Sequence, residues 1–348
     1  MNASAPGDPA AAPIAAPQRA RFAAGREPLR IGDRVVRPGT AARLELPVAR
    51  LFTGNWLSLP VSVLHGARPG PCLWLSAAIH GDELNGMEII RRILAHLEPA
   101  SLQGAVIAVP VVNVFGFVQQ TRYLPDRRDL NRSFPGSSRG STAARLAHLL
   151  MDAVVSKCGY GIDFHTGSQH RSNLPQIRAH LADPETHRIA EAFRAPMMYS
   201  ASEIAGSLRA AARRQGAHVI VYEAGEPLRF DQEAIRVGVA GVLRVLAALD
   251  MWPAAEQEEQ PAPSFEAGET RWLRAPRSGI FHLAAGLGEW VRRHQQLGAI
   301  AGPFSTQVQA VKAPFEGLVI GFTANPLVHR GDALLHLAKK AGGRGAPA

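Results

Sequence analysis

Between residues 73 and 249, short apolar runs alternate with stretches of helical spacing. That alternation limits the folds open to the chain more than any other feature. Residues 73–79 form an apolar run ending in a turn signal, and similar runs recur at 105–112, 161–164 and 219–222. Helical spacing appears at 86–97, where Met87, Ile90, Ile93, Leu94 and Leu97 recur, and again at 142–155. Two further helices are expected at 184–193, opened by Asp183-Pro184, and at 232–249. Strands alternating with helices predict an α/β fold in which a mainly parallel sheet is covered by helices. Of the 348 residues 46% are hydrophobic and 19% charged, ordinary globular usage that excludes a wholly disordered chain. No run of 18 or more apolar residues occurs, so a membrane-spanning helix is not expected.

The pattern changes at both ends. Residues 1–28 are rich in Ala and Pro without apolar periodicity and read as a disordered tail. The tail lacks the apolar core of a secretory signal, and Arg19, Arg21 and Arg26 leave a transit peptide as the lesser alternative. The α/β region is expected at 29–252 and a Pro- and Glu-rich linker at 253–264. A small all-β module should follow at 265–338, then a basic tail at 339–348. The module repeats itself weakly. Ala275-Pro276 with Gly279-Ile280 recurs as Ala313-Pro314 with Gly317-Leu318, and Trp290-Val291 is echoed by Leu327-Val328. This is similar to the barrel-sandwich fold of biotinyl and lipoyl domains. Lys312 precedes the second Ala-Pro and no Met-Lys-Met-like tip is present, so a structural or substrate-shaping barrel is expected rather than a swinging arm.

Two features concern the whole chain. Its two cysteines, Cys72 and Cys158, argue against a disulfide scaffold and fit a reducing cytoplasm. Lys and Arg number 38 against 29 Asp and Glu, a net charge of +9. Nucleic acid, an anionic membrane, or an anion pocket with basic tails would each account for that balance.

The chemistry-bearing residues close the apolar runs. His80-Gly81-Asp82-Glu83 follows the first run and precedes a helix, and His and Glu three apart at a strand end can bind one cation. His165, in Asp163-Phe164-His165-Thr166-Gly167, supplies a third ligand at another strand end. Two His and one carboxylate leave an open position, as in catalytic rather than structural zinc sites. His-x-x-Glu alone is common, and a single His is often a surface or hydrogen-bonded core residue. The two motifs gain weight because open α/β sheets bind ligands at the C-terminal ends of their strands. Tyr222-Glu223-Ala224-Gly225 offers a carboxylate at a third strand end, either as general base or as a capping or surface Glu. Asp163 either backs His165 or faces the other side of the strand. Residues 113–136 form a segment too long to be a simple connection, and it carries Arg122, Arg127, Arg128 and Arg132. Arginine forks bind carboxylates, so this segment reads as a clamp for an acidic substrate. Interleaved Asp126 and Asp129 and the lack of an aromatic series argue against nucleic acid.

Taken in order over residues 30–250, the motifs resemble the succinylglutamate desuccinylase/aspartoacylase family of the zinc carboxypeptidase superfamily. The residues that carry the resemblance are His80-Gly81-Asp82-Glu83, Arg122-Tyr123, Asp129-Leu130-Asn131-Arg132 with Phe134, His165, and Tyr222-Glu223. The resemblance implies a zinc-carboxypeptidase-like mixed sheet covered by helices, with a C-terminal β-domain bordering the active-site channel. It further implies that His80, Glu83 and His165 hold one zinc ion per chain and that Glu223 is the general base. Arg122 and the Asn131-Arg132 pair would bind a substrate carboxylate or polarise the carbonyl, and residues 124–128 and 169–177 would shape specificity. The expectation is a cytoplasmic zinc-dependent amidohydrolase that cleaves the amide of a carboxylate-bearing N-acyl amino acid. Neither nucleic acid nor membrane is expected as a partner, and homo-oligomerisation is left open. The alternatives are a zinc carboxypeptidase acting on short peptides and a non-catalytic carboxylate-binding scaffold. On this reading the excess positive charge divides between the two tails and an anion pocket.

Overall fold

The structure is a computed structural model describing residues 23–25, 27–254, 261–304 and 308–340. Most of both expected tails and half of the expected linker lie outside these residues. An N-terminal series comprises β1 (Ala23–Ala24), β2 (Leu29–Ile31), β3 (Arg34–Val36), β4 (Thr40–Arg50) and β5 (Trp56–His65). The α/β region begins with β6 (Arg68–Ala77), α1 (Asn85–His96), β7 (Gln103–Val109), α2 (Val114–Gln119) and α3 (Thr142–Ala153). It continues through β8 (Tyr160–His165), β9 (Arg171–Ala179), α4 (Pro184–Phe193), β10 (Met197–Ser200), α5 (Leu208–Arg214), β11 (His218–Gly225) and α6 (Gln232–Ala248). The C-terminal strands are β12 (Phe265–Arg274), β13 (Gly279–Leu283), β14 (Trp290–Val291) and β15 (Gln296–Ala301). Four more follow: β16 (Val308–Lys312), β17 (Gly317–Thr323), β18 (Leu327–Val328) and β19 (Ala333–Lys340).

One mixed sheet dominates, in the order β14-β17-β19-β12-β10-β9-β11-β8-β6-β7-β5-β4, with β1 paired to β6. Its centre, β7-β6-β8-β11, is parallel, as expected. The flanks are not: β4, β5 and β9 run antiparallel to the neighbours that join them to that centre. For β4 and β5 the reason is connection length. The short link from β4 to β5 permits only an antiparallel hairpin, whereas helical crossovers return the chain in parallel. Ala23–Ala24 and Lys339–Lys340 belong to paired strands although both lie inside the segments expected as tails.

The apolar run of β6 is buried on both faces, the mark of a central parallel strand. Cys72 and Trp74 face a layer containing Leu146, Ala147 and Leu150 of α3 and Leu208 and Ala211 of α5. Leu73, Leu75 and Ala77 face Ile89, Ile90 and Ile93 of α1, Ile189 and Phe193 of α4, and Ile235, Val242 and Leu246 of α6. Helical spacing in α1 thus becomes one apolar stripe laid on the sheet.

The C-terminal strands share that sheet. β12 pairs in parallel with β10, Met197 opposite Phe265, and β19, β17 and β14 extend it. The other four, β16-β15-β13-β18, form a second antiparallel sheet. Phe281, Leu297, Ile300, Val319, Leu335 and Leu337 fill one apolar cluster of this region. β17 also pairs with β9, Gly321 opposite Asn173 and Thr323 opposite Arg171. Among the described residues no helix is long and apolar enough to cross a membrane.

Candidate metal centre and active site

Three neighbouring strands deliver the site residues. After β6 the chain turns through Ala78, a buried alanine with φ of 50°, a conformation uncommon for a residue with a Cβ. The turn brings His80 to the sheet end, and Gly81 lies so close to the Gly116–Phe117 backbone that a side chain there would collide with it. Asn85, the first residue of α1, donates to the Ala224 carbonyl at 3.1 Å and accepts from the Asp231 N–H at 3.0 Å. This buried amide fixes the β6–α1 turn against the end of β11 and the start of α6. On β8 and β11, His165 lies opposite Glu223.

The structure brings His80, Glu83 and His165 together, with ligand atoms all within 4.8 Å of one another. Each oxygen of Glu83 faces one imidazole: His80 Nδ1 is 2.7 Å from Oε1 and His165 Nδ1 is 2.8 Å from Oε2. The far nitrogen of each ring is backed by another carboxylate, His165 Nε2 by Asp163 at 2.9 Å and His80 Nε2 by Asp129 at 3.4 Å. Asp163 therefore lies on the same side of β8 as His165, and Ser76 donates to its other oxygen at 2.8 Å. Burial opposes the charge on Glu83, yet His80 and His165 hold its carboxyl well below the usual range. Burial likewise opposes a charged His165, but Asp163 and Glu83 raise its pKa well above the ordinary value. Such a buried pocket, with three carboxylates around two imidazoles, seeks positive charge. Two imidazole nitrogens and one carboxylate, each ring backed by a further carboxylate, form a donor set that fits a divalent zinc ion.

Glu223 faces the same cavity, of about 220 Å3, which is also lined by Arg122, Asn131, Arg132, Arg178, Arg209 and Trp272. The Glu223 carboxylate is held on both oxygens, by an ion pair with Arg178 Nη1 and by Asn173 Nδ2 at 2.8 Å. Of the four arginines expected to form a clamp, Arg122 and Arg132 line the cavity. Arg127 and Arg128 are exposed outside it, with Arg128 set 3.6 Å from Asp126. Arg122 is already engaged, 2.8 Å from Asp129 and 3.6 Å from Glu83. Asn131 accepts from the Leu208 N–H at 2.9 Å, which anchors its amide to the start of α5.

The rest of the cationic lining comes from elements that carry no sequence motif. Arg171 of β9 lies over the Trp272 ring, its Cζ 5.3 Å from the ring centroid. Arg209 of α5 is 6% exposed, and its Nη2 donates to the Ala201 and Ser202 carbonyls at 3.0 and 2.7 Å. Burial and the charge of Arg178 lower the pKa of Arg209 to about 10. Trp272 comes from β12 and stacks on His336 of β19, ring centroids 4.5 Å apart, so the C-terminal strands supply one wall of the cavity.

Comparison with known proteins identifies the family and the fold. Residues 69–249 match the family model described as the succinylglutamate desuccinylase/aspartoacylase catalytic domain. N-alpha-acetyl-L-2,4-diaminobutyric acid deacetylase of Halomonas elongata is 25% identical over 310 residues, covering 85% of this chain and 90% of the relative. A succinylglutamate desuccinylase/aspartoacylase of Rhodobacter sphaeroides superposes with a TM-score of 0.77 at 28% identity, covering 87% of this chain and 96% of that one. The product-bound ectoine utilization protein EutE (DoeB) of Ruegeria pomeroyi shares the fold, with a TM-score of 0.78 at 23% identity over 90% of this chain and 98% of that one. The family model spans more than half of the sequence, and the chain belongs to the succinylglutamate desuccinylase/aspartoacylase family.

Proposed function

We propose that the chain is a zinc-dependent deacylase that cleaves the amide of an N-acyl amino acid bearing at least one carboxylate. One observation carries the reading: a Glu83 carboxylate shared by two imidazoles shares one arginine-lined cavity with a second carboxylate, Glu223. His80, Glu83 and His165 would hold the metal. When bound, zinc acidifies water and polarises the scissile carbonyl.

The remaining work falls to side chains of this chain. Glu223 takes the proton of the attacking water and returns it to the leaving amine, a transfer that needs the carboxylate fixed in place. Arg178 and Asn173 fix it. Arg122, beside Glu83, faces the negative charge that develops on the carbonyl oxygen. Asn131 and Arg132, joined by Arg209 and Arg171, receive the substrate carboxylate. Support for a deacylase comes from the Halomonas relative, named for removing an acetyl group from an N-acetylated amino acid.

The test is metal analysis of the purified chain combined with a hydrolysis screen of N-acetyl, N-succinyl, N-formyl and γ-glutamyl amino acids and short acidic peptides. About one zinc per chain is expected, with turnover of at least one N-acyl amino acid lost on His80→Ala. Release of C-terminal residues from peptides, with no N-acyl amino acid cleaved, would replace the proposal by the carboxypeptidase reading. Sub-stoichiometric zinc unchanged by His80→Ala would instead favour a binding scaffold.

A further inference from the structure

Cys72 and Cys158 are 86 residues apart in the chain, yet their sulfurs stand 2.8 Å apart. The residues are 1% and 0% exposed and belong to the apolar cluster that packs the sheet against α3 and α5. The backbone sets the pair. β6 runs parallel to β8 with Leu73 opposite Tyr160, and the Gly159 N–H donates to the Cys72 carbonyl at 3.1 Å. Roughly 0.8 Å of further approach separates the sulfurs from disulfide bonding distance. Neither residue lines the site cavity, and neither joins the His80, Glu83 and His165 group. Burial, and then the hydrogen bond with Cys72, push the Cys158 thiol up. It is therefore a weak nucleophile inside the folded protein.

We propose that Cys72 and Cys158 are a disulfide-forming pair, closed by thiol–disulfide exchange while the chain folds and then sealed in the core. In the open chain one cysteine thiolate attacks a small disulfide such as glutathione disulfide. That breaks the reagent's S–S bond and releases one glutathione, which takes up the proton. The second cysteine thiolate attacks the resulting mixed disulfide, forms the Cys72–Cys158 bond and releases a second protonated glutathione. Two protein thiols are oxidised, and one glutathione disulfide is reduced to two thiols. Once the core has closed, neither sulfur meets reagent, so the pair keeps the redox state in which the chain folded. Cys72 lies midway along β6, which leads on to His80 and Glu83, and Cys158 lies two residues before β8, which ends at His165, so the bond would form away from the site. It should therefore alter stability and leave turnover unchanged, and its test is independent of the proposed reaction.

The test is refolding of the full chain, with zinc present, in glutathione disulfide or in excess dithiothreitol. The oxidised product should be about 2 Da lighter and take up no maleimide after denaturation. Its Tm should rise by about 5 °C through closure of a long loop. The reduced product, once folded, should react with the same oxidant at least tenfold more slowly than the denatured chain. Cys72→Ala and Cys158→Ala should each abolish the mass loss and the Tm gain. Two maleimide-reactive thiols after oxidising refolding, stable glutathione adducts, or disulfide-linked dimers would overturn the proposal. So would a Tm gain that persists in either variant.

Discussion

Glu223 carries two separable duties, and a single substitution exposes both. Glu223→Gln should lower kcat by roughly 10^2 to 10^4-fold, since the proton acceptor is gone, while zinc content by metal analysis stays unchanged. It also leaves the Arg178 guanidinium without its counter-charge. Denaturant unfolding should show a loss of about 1–3 kcal/mol, part of it recovered in the Arg178→Gln/Glu223→Gln double variant. Equal stability of Glu223→Gln and wild type would mean that the pair contributes nothing to the fold. Legibility in the sequence differs sharply among these residues. His80, His165 and Glu223 each close an apolar run, so their placement at the sheet end could be read directly. Arg178 and Asn173 could not, because the polar strand around them (Arg171–Ala179) contains Pro175 and reads as a loop. Arg209 hides in an Ala- and Arg-rich helix whose composition suggests a solvent face. Counting arginines in residues 122–132 overshot for a related reason: composition cannot say that Arg127 and Arg128 turn away from the cavity.

Among the elements, the start of α1 matters most to the site, because Asn85 couples three of them. Asn85→Ala removes two buried hydrogen bonds and strands the Ala224 carbonyl and the Asp231 N–H. The expected cost is about 2–4 kcal/mol in urea unfolding, with kcat reduced because the end of β11 loses its brace. Full stability in Asn85→Ala would show that the turn holds without the amide. Helices α1, α4 and α6 were readable within a residue or two, because long segments with period 3.6 are the strongest local signal. β4 was not. It is an edge strand in which Ala42, Leu44, Leu46 and Val48 alternate with Arg43, Glu45 and Pro47, but only Leu46 is fully buried and the internal proline argues against a strand, so the alternation is passed over. β9 and β10 escaped for a tertiary reason: they are completed by β17 and β12 from the C-terminal part of the chain, and pairing rather than propensity makes them strands.

At the scale of the whole molecule, metal and fold should be linked. Removal of zinc by a chelator should lower Tm, and added zinc should restore it. The gain corresponds to about 4 kcal/mol when free metal is a thousandfold above its Kd. A Tm indifferent to chelator would mean that the cluster is organised without an ion. Acid should expose a second dependence. His336 is stacked on Trp272, near Tyr199 and Arg178; burial and the Arg178 charge lower its pKa to about 3. The folded chain keeps this imidazole neutral while the unfolded chain protonates it near pH 6.5. Its contribution is therefore complete above about pH 6.5 and fades as pH falls toward 3, by up to about 1.4 kcal/mol per pH unit. Between pH 7 and pH 5 the Tm of His336→Leu should fall less than that of wild type. Parallel declines would remove His336 as the cause.

The parallel pairing of β10 with β12 has a last consequence. A chain stopped after Trp252 would not be a smaller enzyme that had lost an accessory. It would present β10 with a bare row of amides and carbonyls, and β9 with another where β17 had paired. Such a margin recruits strands from other molecules. The C-terminal strands act as a guard against self-association, and truncation should yield aggregates rather than a soluble catalytic fragment.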